Sequence, residues 1–198
     1  MFDFPDNPDI QRITKSLYQD GKVVSAVCHG PAALVNVALD NGEMLLANKQ
    51  VSSFTNEEEL FLIPDAKQIF PFLLEDKLKA QGAQFQPGLK YLEQVVQDGK
   101  LITGQNPWSV WKMAEMVVAE LGYQPKARKL TPEEYSVALL MTYKLDGYDA
   151  ALKLTEQHAS EYQRILILMH GILAFMEWDI AEGTDLLSIA NNIKNLTE

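Results

Sequence analysis

The sequence predicts an α/β domain over residues 1–124 and an all-helical extension over residues 130–198. An apolar, β-branched run at residues 23–27 ends at Cys28, the only cysteine among 198 residues, and a helix-prone run follows directly. A buried strand that leads straight into a helix is typical of α/β sheets. Beyond a basic, Pro-containing linker at residues 122–129, the apolar spacing indicates helices alone.

The first elements lead up to the cysteine. Asn7 and Pro8 have the preferences of a helix cap and a first helical position, so we predict a helix over residues 7–20 that ends at Gly21. The strand that follows is continuously apolar, which predicts burial on both of its faces. A second helix is expected over residues 31–39, immediately after the cysteine.

Shorter elements fill the rest of the chain. In the α/β domain they are short strands within residues 45–54 around a turn at Asn48-Lys49, a helix opened by Glu57-Glu58-Glu59, a helix at 72–81, strands at 84–85 and 91–96, a strand at 101–103 after an Asp98-Gly99 turn, and a helix at 106–121. In the extension, Thr131 begins a helix and Gly147 separates it from a second that ends near Gln157. An apolar run at residues 165–176 and a last helix at residues 184–196 complete it.

Composition and charge exclude several classes of function. The chain has 27 acidic and 17 basic residues, a formal net charge of −10, which argues against nucleic acid or an anionic membrane as a partner. The sequence has no run of about 18 apolar residues, so no membrane span is predicted. The N-terminal residues lack the basic and apolar regions of a signal peptide. We therefore expect a cytoplasmic protein. A single cysteine excludes an internal disulfide and a cysteine-based metal cluster, and we expect neither a metal site nor a cofactor.

The segment Ala26-Val27-Cys28-His29-Gly30 has the small-x-nucleophile-x-small form of a nucleophile elbow. Such a turn places the sulfur at the C-terminal end of its strand and leaves no room for large side chains at Ala26 and Gly30. The amides of the following helix would favour thiolate over thiol. The alternative is a buried structural thiol, the ordinary state of a free cysteine. The elbow pattern favours the nucleophile.

The elbow and four other motifs resemble the ThiJ/PfpI superfamily, in its chaperone and glyoxalase III branch. The five motifs, which together span roughly residues 1–122, are residues 2–8, 26–34, 53–59, 71–76 and 98–107. The resemblance implies a flavodoxin-like three-layer sandwich and cysteine-dependent chemistry on small reactive aldehydes. We recognise no family in residues 130–198.

The resemblance also implies a site. Cys28 would be the nucleophile, His29 its neighbour in a dyad, and an acid from the segment at residues 54–59 would orient the imidazole. Glu59 is the favoured acid, and the other candidates are Asn56, Glu57 and Glu58. Without the resemblance this acidic run would be interpreted as a solvated first helical turn.

The other polar groups near the elbow and the remaining histidines have simpler interpretations. Gly30 and Ala26 would shape the elbow and its oxyanion donors, and His29 could serve through its backbone N–H, with or without its imidazole. His158 and His170 are predicted to lie on the surface or in helix packing, because neither has a second metal ligand at helical spacing.

A domain of this family would have more chain before the elbow. The resemblance implies preceding strands, a glycine-rich oxyanion segment and a glutamate beside the cysteine, but only 27 residues precede Cys28 and the first glutamate is Glu43. We therefore expect the C-terminal part of the domain, with an uncovered strand edge. Another chain could cover that edge, as the expected homo-oligomer would, or the helices after residue 130 could cover it. The third alternative is marginal stability.

Two functions of different class follow from these features. The first is an enzyme of the glyoxalase III type, which converts methylglyoxal to lactate without glutathione. The second is a non-catalytic relative, either chaperone-like or inactive. An amidotransferase or peptidase is the weakest alternative, because the chain has no His-x-Glu triplet downstream of Cys28 and nothing that indicates a peptide groove.

Overall fold

The computed structural model describes residues 1–197, which form two compact units. The first, Met1–Lys126, combines strands and helices, and the second, from Ala127 onwards, is helical. The predicted fold class, an α/β unit with an all-helical extension, is confirmed.

The α/β unit alternates short strands with short helices. Its elements are α1 (Pro8–Gln19), β1 (Val24–Val27), β2 (Gln50–Val51), α2 (Asn56–Leu62), α3 (Ala66–Ile69), α4 (Leu74–Ala80), β3 (Gln84–Phe85), β4 (Val95–Asp98), β5 (Leu101–Gly104) and α5 (Val110–Glu120). Three 3-10 turns lie at Phe4–Asp6, Gly30–Ala33 and Pro107–Ser109. Asn7 caps α1 as predicted, because its side chain accepts hydrogen bonds from two amides of the first turn.

The main sheet has the strand order β1-β5-β4. β1 runs parallel to β5, with Val27 opposite Gly104, and β4 runs antiparallel to β5 through the predicted Asp98-Gly99 turn. β2 and β3 form a separate parallel pair. The C-terminal ends of β1 and β5 therefore lie side by side, and Cys28 and Gln105 are the residues that follow them.

The prediction that the first strand is buried on both faces is wrong. Ser25 is exposed, and the other three residues of β1 are only half-buried. The reason is topological, because β1 lies at the edge of the three-stranded sheet with β5 on one side only. Similarly, none of the described residues of α1 is buried.

The helix predicted over residues 31–39 is also wrong, since only the 3-10 turn Gly30–Ala33 forms there. Asn36 adopts a positive φ of 65°, which is incompatible with helical propagation. The apolar side chains of this segment instead enter the core of the unit individually; they are Ala32, Leu34, Val35 and Val37. Their burial, not helical periodicity, explains the apolar composition.

The helical unit consists of α6 (Pro132–Asp146), α7 (Tyr148–His158), α8 (Arg164–Met176) and α9 (Ile180–Thr197). Thr131 and Glu134 form a capping box at the start of α6, and Gly147, with a φ of 89°, separates α6 from α7 as predicted. α9 begins four residues earlier than the predicted start at residue 184. None of the described helices is long and apolar enough to cross a membrane.

Candidate active site

The backbone turns sharply at Cys28, as the elbow pattern predicts. Cys28 has a φ of 60°, in the left-handed region that costs an L-residue about 1–2 kcal/mol. Two hydrogen bonds hold this conformation: the Cys28 N–H donates to the Gly104 carbonyl (2.9 Å), and the Cys28 carbonyl accepts from the Phe54 N–H (3.0 Å). The elbow is thus fixed both to β5 and to the segment that leads into α2.

The two small residues of the motif lie against each other across the turn. A Cβ placed on Gly30 would lie 3.6 Å from the Cβ of Ala26, which is ordinary van der Waals contact. The turn therefore brings the strand before the cysteine and the chain after it close together, with room for one methyl group at position 30.

The thiol, the imidazole and one carboxylate form a continuous line. Cys28 Sγ lies 3.4 Å from His29 Nδ1, and His29 Nε2 lies 2.5 Å from Glu59 Oε2. Because a carboxylate only accepts, Nε2 carries the proton and Nδ1 presents its lone pair to the sulfur. The side chain of Glu59 is 6% exposed and that of His29 is 36% exposed, so the acid is enclosed while the imidazole reaches solvent.

Burial raises the pKa of the Cys28 thiol above its ordinary value. A hydrogen bond from the His29 backbone N–H lowers it, and the charges of Glu58 and Glu59 raise it further. The expectation that the thiolate is favoured over the thiol is therefore wrong, because burial and the two carboxylates outweigh the one amide hydrogen bond. A four-residue 3-10 turn lies where the helix was predicted. A group beside the sulfur has to accept the thiol proton, and His29 Nδ1 is in position to do so.

The four candidates for the residue that orients His29 make different contacts. Of these four, Glu59 is the one in contact with His29. Glu57 is exposed and pairs with Lys90 at 3.4 Å. Asn56 is held towards α4, where its side chain donates to Asp76 (2.7 Å). These three residues of one helical segment thus have three different surroundings, and Glu58 has a fourth.

Glu58 is fully buried and accepts five hydrogen bonds. Its Oε2 receives the Thr55 N–H (3.0 Å) and hydroxyl (3.1 Å). Its Oε1 receives the Tyr91 N–H (2.7 Å), Gln105 Nε2 (3.0 Å) and Asn106 Nδ2 (2.9 Å). All five donors are neutral groups. A buried carboxylate that is satisfied in this way acts as a structural anchor.

This anchor joins three segments that are distant in sequence. It ties the start of α2 to Tyr91, whose φ is 54°, and to the buried pair Gln105 and Asn106 that follows β5. Since Glu59 is the next residue, the network also fixes the position from which Glu59 meets His29. This role was not predicted from the sequence, although the Thr55-x-x-Glu58 spacing is the signature of the capping box that forms here.

The remaining histidines lie in the helical unit. His158 packs against the ring of Tyr135, with 5.4 Å between ring centroids, and His170 is buried within α8. Both positions agree with the predicted packing role. Over residues 1–197, no group of three or more His, Cys, Asp or Glu side chains is arranged to hold a metal ion.

Comparison with known proteins connects this geometry to named relatives. Glyoxalase 3 of Candida albicans is 36% identical over 123 residues, which cover 60% of this chain and 52% of the relative. The glutathione-independent glyoxalase HSP31 of Saccharomyces cerevisiae is 35% identical over 120 residues, covering 58% of this chain and 50% of the relative. The chain thus spans about half the length of the curated relatives that it matches. No protein-family model matches it.

A likeness in fold extends over both units. A solved two-domain protein of Anabaena variabilis, with DJ-1/ThiJ/PfpI-like and ferritin-like domains, aligns with 98% of this chain and 51% of its own. The TM-score is 0.50 and the sequence identity 21%, so this likeness concerns the fold alone. It includes the helical unit, for which the sequence indicated no family.

Proposed function

Because the α/β unit belongs to the ThiJ/PfpI superfamily, in its glyoxalase III branch, we propose that Cys28 performs glutathione-independent chemistry on small reactive aldehydes. Conversion of methylglyoxal to lactate is the reaction that we assign to the site. The observation that carries this proposal is the line from Cys28 Sγ through His29 to Glu59. Thiol addition to a carbonyl requires a thiol in contact with a base, and an acid that orients that base.

In the first step the sulfur bonds to the aldehyde carbon while the thiol proton passes to His29 Nδ1. The imidazolium then donates that proton to the new alkoxide, and the product is a neutral hemithioacetal. Glu59 stabilises the imidazolium that forms transiently, because its carboxylate accepts the Nε2–H throughout. This route does not require a free thiolate, which suits a thiol whose pKa is raised by burial.

In the second step a proton moves between adjacent carbons. His29 Nδ1, neutral again, takes the proton from the former aldehyde carbon to give an enediolate. The hydroxyl proton on that carbon passes to the neighbouring oxygen, and the imidazolium returns its proton to the neighbouring carbon, which forms a thioester. Glu58 is unsuited to this shuttle, because five donors occupy its oxygens, and Glu59 holds the imidazole. Water then cleaves the thioester to lactate and regenerates the thiol.

We assign oxyanion stabilisation to the backbone at the start of the 3-10 turn. The first amides of a helical turn have no acceptor within the turn, and that of Gly30 lies two residues after the sulfur-bearing one. The His29 N–H bonds to the sulfur in the resting site and is the second candidate donor. Ala26 and Gly30 contribute by their small size, which permits the turn. The proposed partner is a small-molecule aldehyde, and the proposed location is the cytoplasm.

Methylglyoxal consumption and lactate formation by the purified chain test this proposal. We expect both to depend on the enzyme concentration, and we expect Cys28→Ala to reduce them to the buffer rate. The matched control is Ser25→Ala, an exposed position on the same strand, which should retain full activity. Turnover that persists in Cys28→Ala, or no turnover by the unaltered chain, would reject the proposal and favour the non-catalytic alternative.

A further inference from the structure

Helix α8 has two apolar faces. Leu166, Ile167, His170, Gly171 and Ala174 are buried inside the helical unit. The opposite face carries a second set of large apolar residues, each between 54% and 61% exposed; they are Ile165, Met169, Ile172 and Met176. A single surface helix normally buries one apolar stripe and shows polar residues on the other side.

The exposed residues form one continuous stripe. Their spacings of four, three and four positions place all four on one side of the helix, as in the seam of a coiled coil. Trp178, which is 87% exposed, lies just beyond the end of the stripe. An exposed apolar stripe of this kind marks an interaction surface, and its helical spacing suits contact with another helix.

The stripe is symmetric about its own midpoint, between His170 and Gly171. Met169 and Ile172 lie at equal distances on either side of that point, and so do Ile165 and Met176. A two-fold axis through the midpoint would therefore place Ile165 against Met176 of a second copy. A patch that is complementary to itself is what a two-fold interface requires.

The charges at the ends of the helix select the orientation. Arg164 and Glu177 bracket α8, and no charged residue lies between them in the sequence. An antiparallel pair brings each Arg164 to the same end as Glu177 of the other copy and opposes the two helix dipoles. A parallel pair would bring like charges together. We propose that α8 docks antiparallel onto α8 of a second copy of this chain, through the stripe from Ile165 to Met176.

The contact is small, so the dimer should be weak. Thirteen residues make a helix about 20 Å long, and one pair of such helices buries less than the roughly 800 Å² per partner of a standard interface. We therefore expect an association that depends on protein concentration and not a permanent dimer.

Sedimentation velocity of the full chain, from about 1 to about 200 µM, tests the association over the range of weak interfaces. We expect the mass to double towards the upper end, and Met169→Lys to keep the chain monomeric because it places two like charges beside the axis. Leu145→Lys, an exposed apolar position on α6, is the matched control and should dimerise normally. A chain that stays monomeric throughout, or a dimer unaffected by Met169→Lys, would overturn the proposal.

Cross-linking tests the register without relying on stability. In a Cys28→Ser background, chains carrying Ile165→Cys and chains carrying Met176→Cys are mixed and treated with a short bismaleimide. We expect a cross-linked product in the mixture only, because two copies of position 165 lie about 16 Å apart along an antiparallel pair. A product from either variant alone would indicate a parallel pair, and no product in the mixture would indicate that another surface covers the stripe; either result contradicts the proposal.

Discussion

The two segments that meet at the candidate site differ in how they are held. The elbow, Ala26–Gly30, belongs to an edge strand, is half-buried and contains a residue with a φ of 60°. In the acidic segment, Thr55–Glu59, the side chains of Thr55, Glu58 and Glu59 are buried, and both oxygens of Glu58 are occupied by donors from three parts of the chain. The groups that we expect to react thus lie on the accessible side, and the groups that orient them lie on the rigid side.

This difference separates reactivity from stability at neighbouring positions. Substitutions of His29 should change chemistry more than folding, because its imidazole is partly exposed and has the buried Glu59 carboxylate as its hydrogen-bond partner. Substitutions at Glu58 should change folding first, because its network joins distant segments. Glu59 lies between these cases, since it is buried and also contacts the imidazole.

Of the substitutions compared below, His29→Ala in the elbow should reduce activity most. Loss of the base should lower kcat/KM for methylglyoxal by about 10²–10⁴-fold, the usual contribution of general acid–base catalysis. The urea midpoint should fall modestly, because the buried Glu59 carboxylate loses its imidazole partner at a cost of about 1–3 kcal/mol. The control is His158→Ala in the helical unit, with normal activity expected. A His29→Ala chain that retains most of its activity would show that the imidazole is dispensable.

Glu58→Ala should be the most destabilising change on the acidic side. The N–H groups of Thr55 and Tyr91 would lose their carboxylate acceptor, and each buried donor left unpaired costs about 1–3 kcal/mol. We therefore expect a loss of about 2–6 kcal/mol in the free energy of unfolding, measured by urea denaturation. Glu57→Ala, the exposed neighbour, should stay within about 0.5 kcal/mol. Equal effects of the two substitutions would refute the anchor role.

Glu59→Gln isolates the effect of the negative charge, because the amide oxygen can still accept the Nε2–H. A hydrogen bond to a charged group contributes about 1.5–3 kcal/mol, which corresponds to roughly a 10–150-fold loss of kcat/KM. The measurement is the rate with methylglyoxal beside the urea midpoint, which should move little. If kcat/KM were unchanged, Glu59 would merely fill space beside the imidazole.

These contrasts also explain what the sequence alone could predict. The bend at Cys28, the Asn7 cap and the Asp98-Gly99 turn depend on a few adjacent residues, and each is present in the structure. The superfamily was also identified correctly, because its five motifs occur in order along the first 122 residues. Glu59, the favoured acid, contacts His29.

The features that were missed depend on tertiary contacts. The exposure of β1 follows from its place at the edge of the sheet, which no local pattern encodes. The apolar run after the elbow suits a helix and a core-lining loop equally well. The loop forms because the positive φ of Asn36 is incompatible with a continuous helix. The Glu58 network joins residues up to 48 positions apart, so only the Thr55 half of it was visible in the sequence.

The smallest expected effect is the pH response of the elbow itself. Burial raises the pKa of Cys28 above its ordinary 9.0, so the thiol is neutral near pH 7. Since Cys28 is the only cysteine, iodoacetamide labelling reports on it alone, and its rate should rise about tenfold per pH unit and level off above pH 9.0. In urea the same curve should level off at lower pH, because the unfolded thiol is not desolvated.

The same shift has a consequence for stability, with a defined sign. The advantage of a neutral, buried thiol is fully present below the unfolded pKa of about 9.0 and is lost as the pH rises through the raised pKa of the folded state. The urea midpoint of the unaltered chain should therefore fall over this range relative to that of Cys28→Ala. Parallel pH curves for the two chains would mean that the sulfur is as solvated in the folded state as in the unfolded one, and would contradict the burial that raises the pKa of Cys28.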